Sequence, residues 1–572
     1  MSRYFVLNST SATYFLFMIR SLLTCLLLGV CSIAHPAMAQ QGQSHEMVKG
    51  VVWEVPGDYR TAASDLIEMR SVGIEAVRTG LIFDRGLLEL ADSLDLVLYR
   101  EIPFFGLSAR SVQDSVVVVD SLVQQLLVTG KGLRSAGPIG LARYSDTTVP
   151  SLCPSLREWT SQIRAAGGTS YYITDFIEKD ACSDEVDFVL LDALDEKSPS
   201  VFVTRWREAH ASPVGLARIG THVVSDELFG TRIEGSPEYQ ARFLENALTE
   251  LKDVLPTYVF VHRWKDARLG LSLEAGDAVT AMPPDPYHRQ YGLYSAGEEP
   301  RPALYVVRGF FMGTQTVFAF EGGEPAEQPL NWFTLVGWIL LSMVAVMYAA
   351  SPRFRSMIPR YFFSHGFYRN AVREAREVLP LTSTAILTIT GLSIGMIATS
   401  VLTNLRLSKV ALHLFTLLDE SSRTALIPLL DAPFVLTVLT GSAALLSMAI
   451  WMGLWMAVSG RRTTLYPSQA LMLAVWPRWQ VLFILPLAMT FEAVGFIPLW
   501  VTAAMGLVWV VAAYWSTLRT TFDMSKVAKI APGASAVIWL FNPLILGTLG
   551  VLVWMLFRRD EIAFVWHLIS RS

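Results

Sequence analysis

Apolar and polar residues follow two different patterns along this 572-residue chain. Residues 45–325 alternate short apolar runs with amphipathic segments, whereas the rest of the chain consists mostly of long apolar runs separated by short basic loops. The change comes at residues 331–350, which carry no charge and are long enough to cross a hydrocarbon core of ~30 Å. The pattern predicts a globular domain that this first transmembrane helix joins to a helical membrane domain.

The globular region, residues 45–325, repeats one local pattern. Apolar runs of strand length are followed by segments in which apolar residues recur at the spacing of one helix face. Eight such units predict an α/β fold, a (β/α)8 TIM barrel, with an open doubly wound sheet as the alternative. No Gly-rich phosphate loop follows a strand, so the usual support for the alternative is missing. The predicted strands are 51–55, 74–79, 96–104, 138–144, 169–176, 186–191, 213–219 and 257–263, and the predicted helices are 61–72, 84–93, 110–128, 155–166, 198–210 and 237–254.

The helical region is predicted to be an all-α multispanning transmembrane domain. Residues 351–380, directly after the first span, form a basic amphipathic segment that we assign to the cytoplasmic side. Five further apolar stretches of spanning length lie within residues 381–557. These predicted spans are 381–404, 434–458, 480–497, 499–518 and 535–557.

Composition and charge support a membrane protein and give no case for a nucleic-acid partner. Charged residues make up 17% of the chain, below the ~25% of soluble domains, and the net charge is -4. About 12 basic residues fall on the side of residues 351–380 and 6 on the other, so the positive-inside rule places residues 45–325 outside the cytoplasm. Because outer-membrane proteins span as β-barrels, the helical spans predict the inner (plasma) membrane, with the lipid bilayer as a partner.

The N-terminus agrees with export. Residues 1–39 have a basic start, an apolar run and an A-x-A cleavage pattern, which predicts a secretory signal peptide, with an uncleaved anchor as the alternative. Export implies an oxidising compartment, where Cys153 and Cys182 either form a disulfide or remain two free thiols. No H-x-x-x-H or C-x-x-C spacing occurs, so we predict no metal and no cofactor.

Several segments of residues 45–325 occur in the order seen in one enzyme family. SDLIEMRSVGIEAVRTG (Ser64–Gly80) and LLELADSLDLVLYREIPF (Leu87–Phe104) each match a helix with its following strand, and VFVHRWKDA (Val259–Ala267) matches the last strand. With these segments the region resembles the catalytic barrel of the family-2 glycoside hydrolases. The resemblance implies functional side chains at three strand ends, namely Arg78, Glu101, and Trp264 with Asp266.

Catalysis in that family needs two carboxyl groups that flank the scissile bond. The resemblance implies Glu residues at the ends of strands four and seven, where this chain has Arg143 and Arg218. An Arg does not act as a nucleophile or base near neutral pH, because its pKa exceeds ~12. Asp146 and Asp175 remain as catalytic candidates. We therefore expect a degenerate barrel that binds a carbohydrate or glycoconjugate; the alternatives are an active O-glycosyl hydrolase with relocated carboxylates and a scaffold whose barrel binds a protein partner.

Polar and aromatic side chains near the strand ends are the candidates for ligand binding. Arg78, Arg143 and Arg218 are suited to clamp an anionic ligand such as a uronate or phosphate, because a guanidinium pairs with two oxygens at once. Aromatic side chains at strand ends would stack on sugar rings, although most aromatics on barrel strands belong to the core. The full set of ligand-binding candidates is Arg78, Glu101, Arg143, Tyr144, Asp192, Arg218, His262, Trp264 and Asp266.

The helical region carries a second resemblance. Its basic amphipathic entry, its clustered spans and the prolines Pro486 and Pro498 resemble the Yip family of multispanning membrane proteins, which implies a scaffold or trafficking role. Glu492 is the one clear acidic residue within a predicted span. Such a residue is a functional candidate, with a local structural role beside Pro498 as the alternative.

Overall fold

The computed structural model describes residues 47–266, 289–324 and 331–571, apart from residues 407, 417, 419, 460–464 and 495–498. The described parts of the globular and helical regions belong to one unit, Met47–Ser572. The predicted signal peptide, residues 1–39, lies outside the described residues.

Eight parallel strands close into a barrel in chain order. The ring closes where β1 pairs with β8, from Val48 opposite Tyr258 to Val51 opposite Val261. The prediction of an eight-stranded (β/α)8 barrel is therefore confirmed, and the open-sheet alternative is wrong. The strands are β1 (Val48–Val52), β2 (Ala76–Thr79), β3 (Val97–Glu101), β4 (Ala136–Arg143), β5 (Ser170–Thr174), β6 (Phe188–Leu194), β7 (Val214–Gly220) and β8 (Tyr258–Val261).

Side-chain caps fix where several barrel helices begin. Asp58, Asp84, Ser108 and Ser236 each accept a hydrogen bond from a backbone N–H group in the first turn of the helix that follows. The helices are α1 (Tyr59–Ser71), α2 (Arg85–Ser93), α3 (Ala109–Asp114), α4 (Val116–Thr129), α5 (Cys153–Ala165), α6 (Ser200–Ala209), α7 (Pro237–Val254) and α8 (Pro302–Met312), with 3-10 turns at Pro150–Leu152 and Ser183–Glu185.

Three local predictions differ from the structure. The first strand, predicted at 51–55, is β1 at Val48–Val52. The predicted helix 110–128 is two helices, α3 and α4, separated at Ser115. The Ser115 hydroxyl donates to the Ser111 carbonyl oxygen at 2.9 Å, and such bonding four residues back bends a helix. Strand β6 continues to Leu194 instead of ending at 191, because Asp192 and the two residues after it pair with β7. Asp192 is therefore a strand residue opposite Arg218.

Aromatic side chains fill the barrel interior below its carboxyl end. Tyr99, Tyr171, Phe188 and Phe260 belong to one buried cluster inside the ring of strands. The rings of Tyr171 and Phe188 stack with centroids 5.0 Å apart, and Tyr99 meets Phe260 edge-on at 5.2 Å.

Within its described residues, the helical region contains four helices that are long and apolar enough to cross a membrane, or up to six if each of two bent pairs counts as one span. The four long helices are α9, α12, α15 and α18 of the following series. The helices are α9 (Trp332–Ala350), α10 (Pro352–Phe363), α11 (His365–Arg373), α12 (Pro380–Leu405), α13 (Lys409–Thr416), α14 (Glu420–Leu430), α15 (Pro433–Ser459), α16 (Pro467–Val475), α17 (Val481–Val494), α18 (Leu499–Val527), α19 (Pro532–Leu540), α20 (Pro543–Phe557) and α21 (Arg559–Arg571), with a 3-10 turn at Trp476–Arg478.

Two of the predicted spans are not single straight helices. The segment predicted at 480–497 belongs to a pair, Pro467–Arg478 and Val481–Ala493, bent by 47°. The segment predicted at 535–557 is the pair Pro532–Leu540 and Pro543–Phe557, bent by 61°. Proline explains both bends, because it lacks the backbone N–H that would continue the helix and restricts the residue before it.

Helix α12 lies at the centre of the helical region, with 67% of its most apolar stretch buried. Small residues let it approach α15 closely: a Cβ atom on Gly395 would clash with the backbone oxygen of Thr437. The basic segment 351–380 forms α10 and α11, and the His365 ring nitrogen Nε2 lies 2.8 Å from a carboxylate oxygen of Asp523 on α18. Close packing and this ion pair hold the helices together.

Candidate functional site

The candidate site is the mouth of the barrel, defined here as the carboxyl ends of the eight strands and the loops that follow them. Parallel strands bring these ends together at one face, where the sites of TIM barrels lie. Most of the candidates from the sequence meet there, in two layers. The inner layer is built on β2 to β5 and the outer layer on β6 to β8.

One carboxylate organises the inner layer. Glu101 is fully buried, and its oxygens lie 3.3 Å from Nη1 of Arg78 and 3.3 Å from Nη1 of Arg143. The Tyr171 hydroxyl donates to Glu101 at 2.9 Å. Burial lowers the pKa of Arg143, and the Glu101 carboxylate opposes this shift. Two guanidinium groups thus share a single carboxylate.

The outer layer contains a more accessible pair on neighbouring strands. Arg218 donates from Nε and Nη2 to the two oxygens of Asp192, at 3.0 and 2.7 Å. The Arg218 side chain is 23% exposed, and its guanidinium carbon lies 5.1 Å from the ring centroid of Tyr144. Burial lowers the pKa of Arg218, but the Asp192 carboxylate outweighs burial and the net shift is upward. Arg218 is therefore a fixed positive charge that solvent reaches.

His262 stands beside this pair without adding a charge. Burial, followed by the neighbouring charges of Arg218 and Arg263, holds the pKa of His262 well below its usual value. The imidazole is therefore neutral at pH 7 and presents one hydrogen-bond donor and one acceptor. Its ring lies 5.2 Å from the ring of Tyr291.

Several buried polar atoms of the mouth have no hydrogen-bond partner among the described residues. Such atoms are uncommon in folded proteins and cost about 1–3 kcal/mol each, so they point to a missing partner. They include Arg78 Nε, Arg143 Nε and Nη2, the Tyr144 hydroxyl and His262 Nδ1, together with the Thr79 and Ser145 hydroxyls and Glu101 Oε2. Most are donors, which suits a ligand rich in acceptor oxygens.

A second polar cluster, after β6 and β7, was missed as a unit from the sequence. Asp195 accepts hydrogen bonds from Thr221 at 3.1 Å and from the Tyr291 hydroxyl at 2.7 Å, and it lies 3.4 Å from His222. Burial raises the pKa of Asp195, but the hydrogen bonds from His222 and Tyr291 outweigh burial, so the net pKa is lowered. The positions of Asp195 and His222 just beyond two strand ends were the available signal.

The C-terminal helix α21 contacts the opposite side of the mouth, and this contact was not predicted. Asp146, a catalytic candidate, lies 2.9 Å from the His567 ring nitrogen Nδ1. Glu561 accepts hydrogen bonds from the Ser108 and Ser111 hydroxyls, each at 2.8 Å. The structure thus engages Asp146 in the joint between the barrel and the helical region. An amphipathic segment after the last span signals a helix, but not its partner.

The remaining candidates lie in the protein interior. Asp175, directly after β5, is buried. Trp264 is fully buried and packs against the Tyr294 ring at 5.2 Å. Asp266 accepts from the backbone N–H groups of Tyr291 and Gly292 and from Arg301, all in the segment that closes the barrel, and from Arg263, just after β8, at 3.4 Å. Among the other strand aromatics, Trp53, Tyr99 and Tyr172 are core residues.

A disulfide braces the loops of the mouth. Cys153, the first residue of α5, and Cys182, in the loop after β5, have sulfurs 2.07 Å apart. Of the two alternatives left open by the sequence, the structure therefore has the paired one. The bond joins the loops that follow β4 and β5.

The strands on which the resemblance placed catalytic Glu residues contain none. Strand β4 reads AGPIGLAR and β7 reads VGLARIG. The mouth offers fixed guanidinium groups, a neutral imidazole and ion-paired carboxylates. Within the described residues, no group of three or more His, Cys, Asp or Glu side chains is placed to hold a metal ion. This set of groups suits recognition of an oxygen-rich, anionic ligand.

No protein-family model matches the chain, and no curated protein sequence matches it either. The Yip resemblance therefore has no support from a family model.

Solved structures similar to the chain include three enzymes. They are a GH2 beta-galacturonidase from Eisenbergiella tayi bound to galacturonate (15% identity, TM-score 0.41, 48% of this chain and 52% of that chain), a beta-D-glucuronidase from Dictyoglomus thermophilum (13%, 0.39, 48% and 51%), and a β-glucuronidase from Ruminococcus gnavus in complex with D-glucaro 1,5-lactone (15%, 0.39, 47% and 49%). The chain spans about half the length of these structures. Likenesses this distant carry no information on substrate or activity.

Proposed function

We propose that the barrel binds an anionic carbohydrate or glycoconjugate at its mouth and does not hydrolyse it. The unpartnered buried polar atoms on Arg78, Arg143, Tyr144 and His262 carry this proposal. Each costs free energy in the empty site, and acceptor oxygens of a ligand would recover it. Carboxylate or phosphate oxygens match guanidinium donors best, and sugar hydroxyls match the Tyr and His groups.

The two layers of the mouth have different tasks in this proposal. Arg78 and Arg143 are 2% and 3% exposed, so they form the buried base of the site and contribute positive charge there. Arg218 is the guanidinium that a ligand reaches first, because it is 23% exposed. The Tyr144 ring beneath it supports the guanidinium plane. Arg218 is therefore the residue on which binding depends most.

Loss of hydrolysis follows from the same groups. Retaining hydrolysis needs a nucleophilic carboxylate and a protonated acid about 5–5.5 Å apart, and inverting hydrolysis needs a general base for water. Glu101 and Asp192 are ion-paired to arginines, so their oxygens are already engaged. Asp146 is ion-paired with His567. For an active hydrolase with relocated carboxylates, Asp175 is the other catalytic candidate from the sequence.

We also propose that the helical region anchors the barrel in the inner membrane. Four to six apolar helices of spanning length support insertion, and the basic segment 351–380 supports a cytoplasmic position for α10 and α11. The barrel is then on the extracytoplasmic side. An even number of crossings returns α21 to that side, where its contacts with the barrel require it to be.

The test measures binding by the full chain in detergent micelles, using calorimetry with glucuronic acid, glucose 6-phosphate and neutral glucose. We expect the two anionic sugars to bind and glucose to bind at least tenfold more weakly. Arg218→Ala should weaken binding of the anionic sugars at least tenfold. Arg218→Lys should restore only part of that affinity, because an ammonium group lacks the planar guanidinium that pairs with two oxygens. Arg205→Ala, which removes an exposed ion pair with Glu178 on the barrel exterior, is the matched control.

Three results would overturn the proposal in different ways. Equal binding of glucose and glucuronic acid would remove the anionic requirement. Turnover of aryl glycosides that Asp175→Asn abolishes would establish the active hydrolase. Absence of binding to every sugar would favour a scaffold whose barrel binds a protein partner.

A further inference from the structure

We infer that the barrel mouth faces the membrane surface and that its ligand is the anionic saccharide headgroup of a membrane glycolipid. This inference rests on the proposed function, because it names the source of the ligand for the same site. It is carried by two connections between the barrel and the helical region, one on each side of the mouth.

The first connection is the segment that leaves the barrel. Helices of a TIM barrel run antiparallel to its strands, so α8 ends at the amino face, away from the mouth. The chain then returns along α7: the Phe318 backbone N–H donates to Glu245 at 3.1 Å, and Arg242 lies 5.3 Å from the ring centroid of Phe320. The segment therefore runs from the middle of α7 towards the N-terminus of that helix. This N-terminus lies at the carboxyl face of the barrel.

The segment is fastened to the loop after β7. The backbone N–H groups of Thr231 and Arg232 donate to the carbonyl oxygens of Glu321 and Gly322, each at 3.0 Å. Gly230 has φ +111°, and a Cβ atom there would clash with the backbone of Gly323. Only glycine permits this approach. The chain thus leaves for the helical region from the mouth side of the barrel.

The second connection is α21, which begins directly after Arg558 and the apolar helix α20. It lies along the loops after β3, β4 and β5. Its first turn pairs Asp560 with Arg110 at 3.0 Å, and its last turn receives a hydrogen bond from Lys179 to the Ser570 carbonyl oxygen at 3.1 Å. Between them, Phe564 is fully buried and packs on Phe176. Charged, polar and apolar contacts therefore seat the whole helix.

These two connections contact different parts of one ring. Strand β7 is four, three and two positions from β3, β4 and β5 in an eight-membered barrel, so the exit segment and α21 hold the mouth at separate places. Both attachments are at the carboxyl face, and both lead directly into apolar helices of spanning or near-spanning length, α9 and α20. A barrel held in this way presents its mouth to the bilayer.

A mouth in this position samples the lipid surface more readily than bulk solvent. A ligand confined to the same bilayer has a high effective concentration at the site, which raises its apparent affinity without any new contact. The guanidinium groups and the neutral His262 require an anionic, hydroxyl-rich headgroup. A glycolipid whose sugar carries a carboxylate or phosphate meets both requirements.

The first experiment tests orientation in nanodiscs that contain a lipid with a nitroxide on its headgroup. A fluorophore is placed through Val224→Cys, in the loop after β7, or through Val128→Cys, at the carboxyl end of α4 and so at the amino face of the barrel; these positions are 64% and 71% exposed. Cys25 and Cys31 are replaced by Ser in both proteins. We expect at least threefold stronger quenching at position 224. Equal or weaker quenching there would overturn the inference, whatever the mouth binds.

The second experiment tests the source of the ligand with the full chain in nanodiscs. Glucuronosyl diacylglycerol in the same disc is compared with soluble methyl glucuronide, and glucosyl diacylglycerol is the neutral control. We expect the acidic glycolipid to slow hydrogen exchange of the backbone amides at the mouth at least tenfold more than the soluble sugar does at equal bulk concentration. Arg218→Ala should remove this effect. Equal action of the two acidic probes would overturn the membrane source and leave the proposed function standing. Failure of both would overturn the proposed function itself.

Discussion

The two sides of the barrel mouth use charged residues differently. On the side of β3 to β5, Asp146 and Arg110 pair with residues of α21 from the far end of the chain. On the side of β6 and β7, Asp192 pairs with Arg218, and Asp195 with Thr221 and His222, all within the barrel. The first side contacts the helical region, and in the function proposed above the second side would present its partly exposed groups to a ligand.

This difference shows how one face of a barrel can serve attachment and recognition together. Ligand-binding groups need some exposure, and attachment needs buried apolar contact, so the two tasks compete for the same loops. Here they are divided around the ring of strands. Substitutions on one side of the mouth should therefore leave the structure of the other side unchanged.

The largest effect is expected from the buried carboxylate under the α21 side. Glu101→Gln leaves the guanidinium groups of Arg78 and Arg143 without a counter-charge in a buried site, so we expect a loss of about 3–5 kcal/mol in unfolding free energy. Asp192→Asn should cost about 1–2 kcal/mol, because Arg218 is partly exposed and regains water. Denaturant unfolding of the full chain in detergent measures both. Equal losses would show that the layers do not differ in burial.

The next largest effect is local and comes from the joint. Phe564→Ala removes a fully buried ring, which typically costs about 3–5 kcal/mol, and should release α21. Hydrogen exchange followed by mass spectrometry should become at least tenfold faster in the loops after β3 to β5 and stay unchanged after β6 and β7. Trp566→Ala, on the same helix but 66% exposed, is the control. Faster exchange on both sides of the mouth would contradict their independence.

A smaller effect is expected where the exit segment meets the loop after β7. Gly230→Ala combines an unfavourable positive φ with a backbone clash against Gly323, so we expect a cost of about 2–3 kcal/mol. Gly132→Ala is the matched control, because Gly132 also has a positive φ, +82°, but open space around it. It should cost about 1 kcal/mol. Thermal unfolding of the two variants measures the difference, and similar midpoints would show that the close approach contributes nothing.

The smallest effect is a pH dependence of stability that comes from His262, beside the Asp192–Arg218 pair. His262 has a folded-state pKa well below its usual value, so the unfolded chain binds its proton more readily. Stability should therefore be constant above pH ~6.5 and fall as the pH drops below that value, by at most about 1.4 kcal/mol per pH unit. Exchange of the barrel amides between pH 5 and 7, corrected for intrinsic rates, measures this slope. His262→Gln should flatten it; an unchanged slope in that variant would assign the dependence to other groups.

Asp195 can be separated from His262 in the same measurement, because the two groups affect stability over different pH ranges. Its pKa is lowered in the folded state, so its stabilising contribution is present above pH ~4 and is lost as the pH falls through the folded value. Asp195→Asn should therefore change only the acid end of the profile. A change near pH 6 in this variant would contradict the assignment of the acid end to Asp195.

The sequence by itself determined that the chain has a (β/α)8 barrel and a region of long apolar helices. Hydrophobic periodicity is local, so a run such as Val214–Gly220 or an amphipathic segment such as Pro237–Val254 reports its own secondary structure wherever it lies in the chain. The order of such segments then left the closed barrel as the simplest arrangement. The same local reasoning found Arg78, Arg143 and Arg218, because strand ends can be read from the pattern.

Only the tertiary structure decided which charges meet. A shift of a few residues at the end of β6 placed Asp192 opposite Arg218, and such a shift is not visible in local hydrophobicity. The contact of Ser108 with Glu561 joins residues 453 positions apart, so no local pattern relates them. Burial, which fixes the protonation of His262 and the cost of each unpaired donor, depends on every surrounding element. The sequence determines which groups the barrel mouth can contain, and packing decides which of them are neutralised, which are buried and which a ligand reaches.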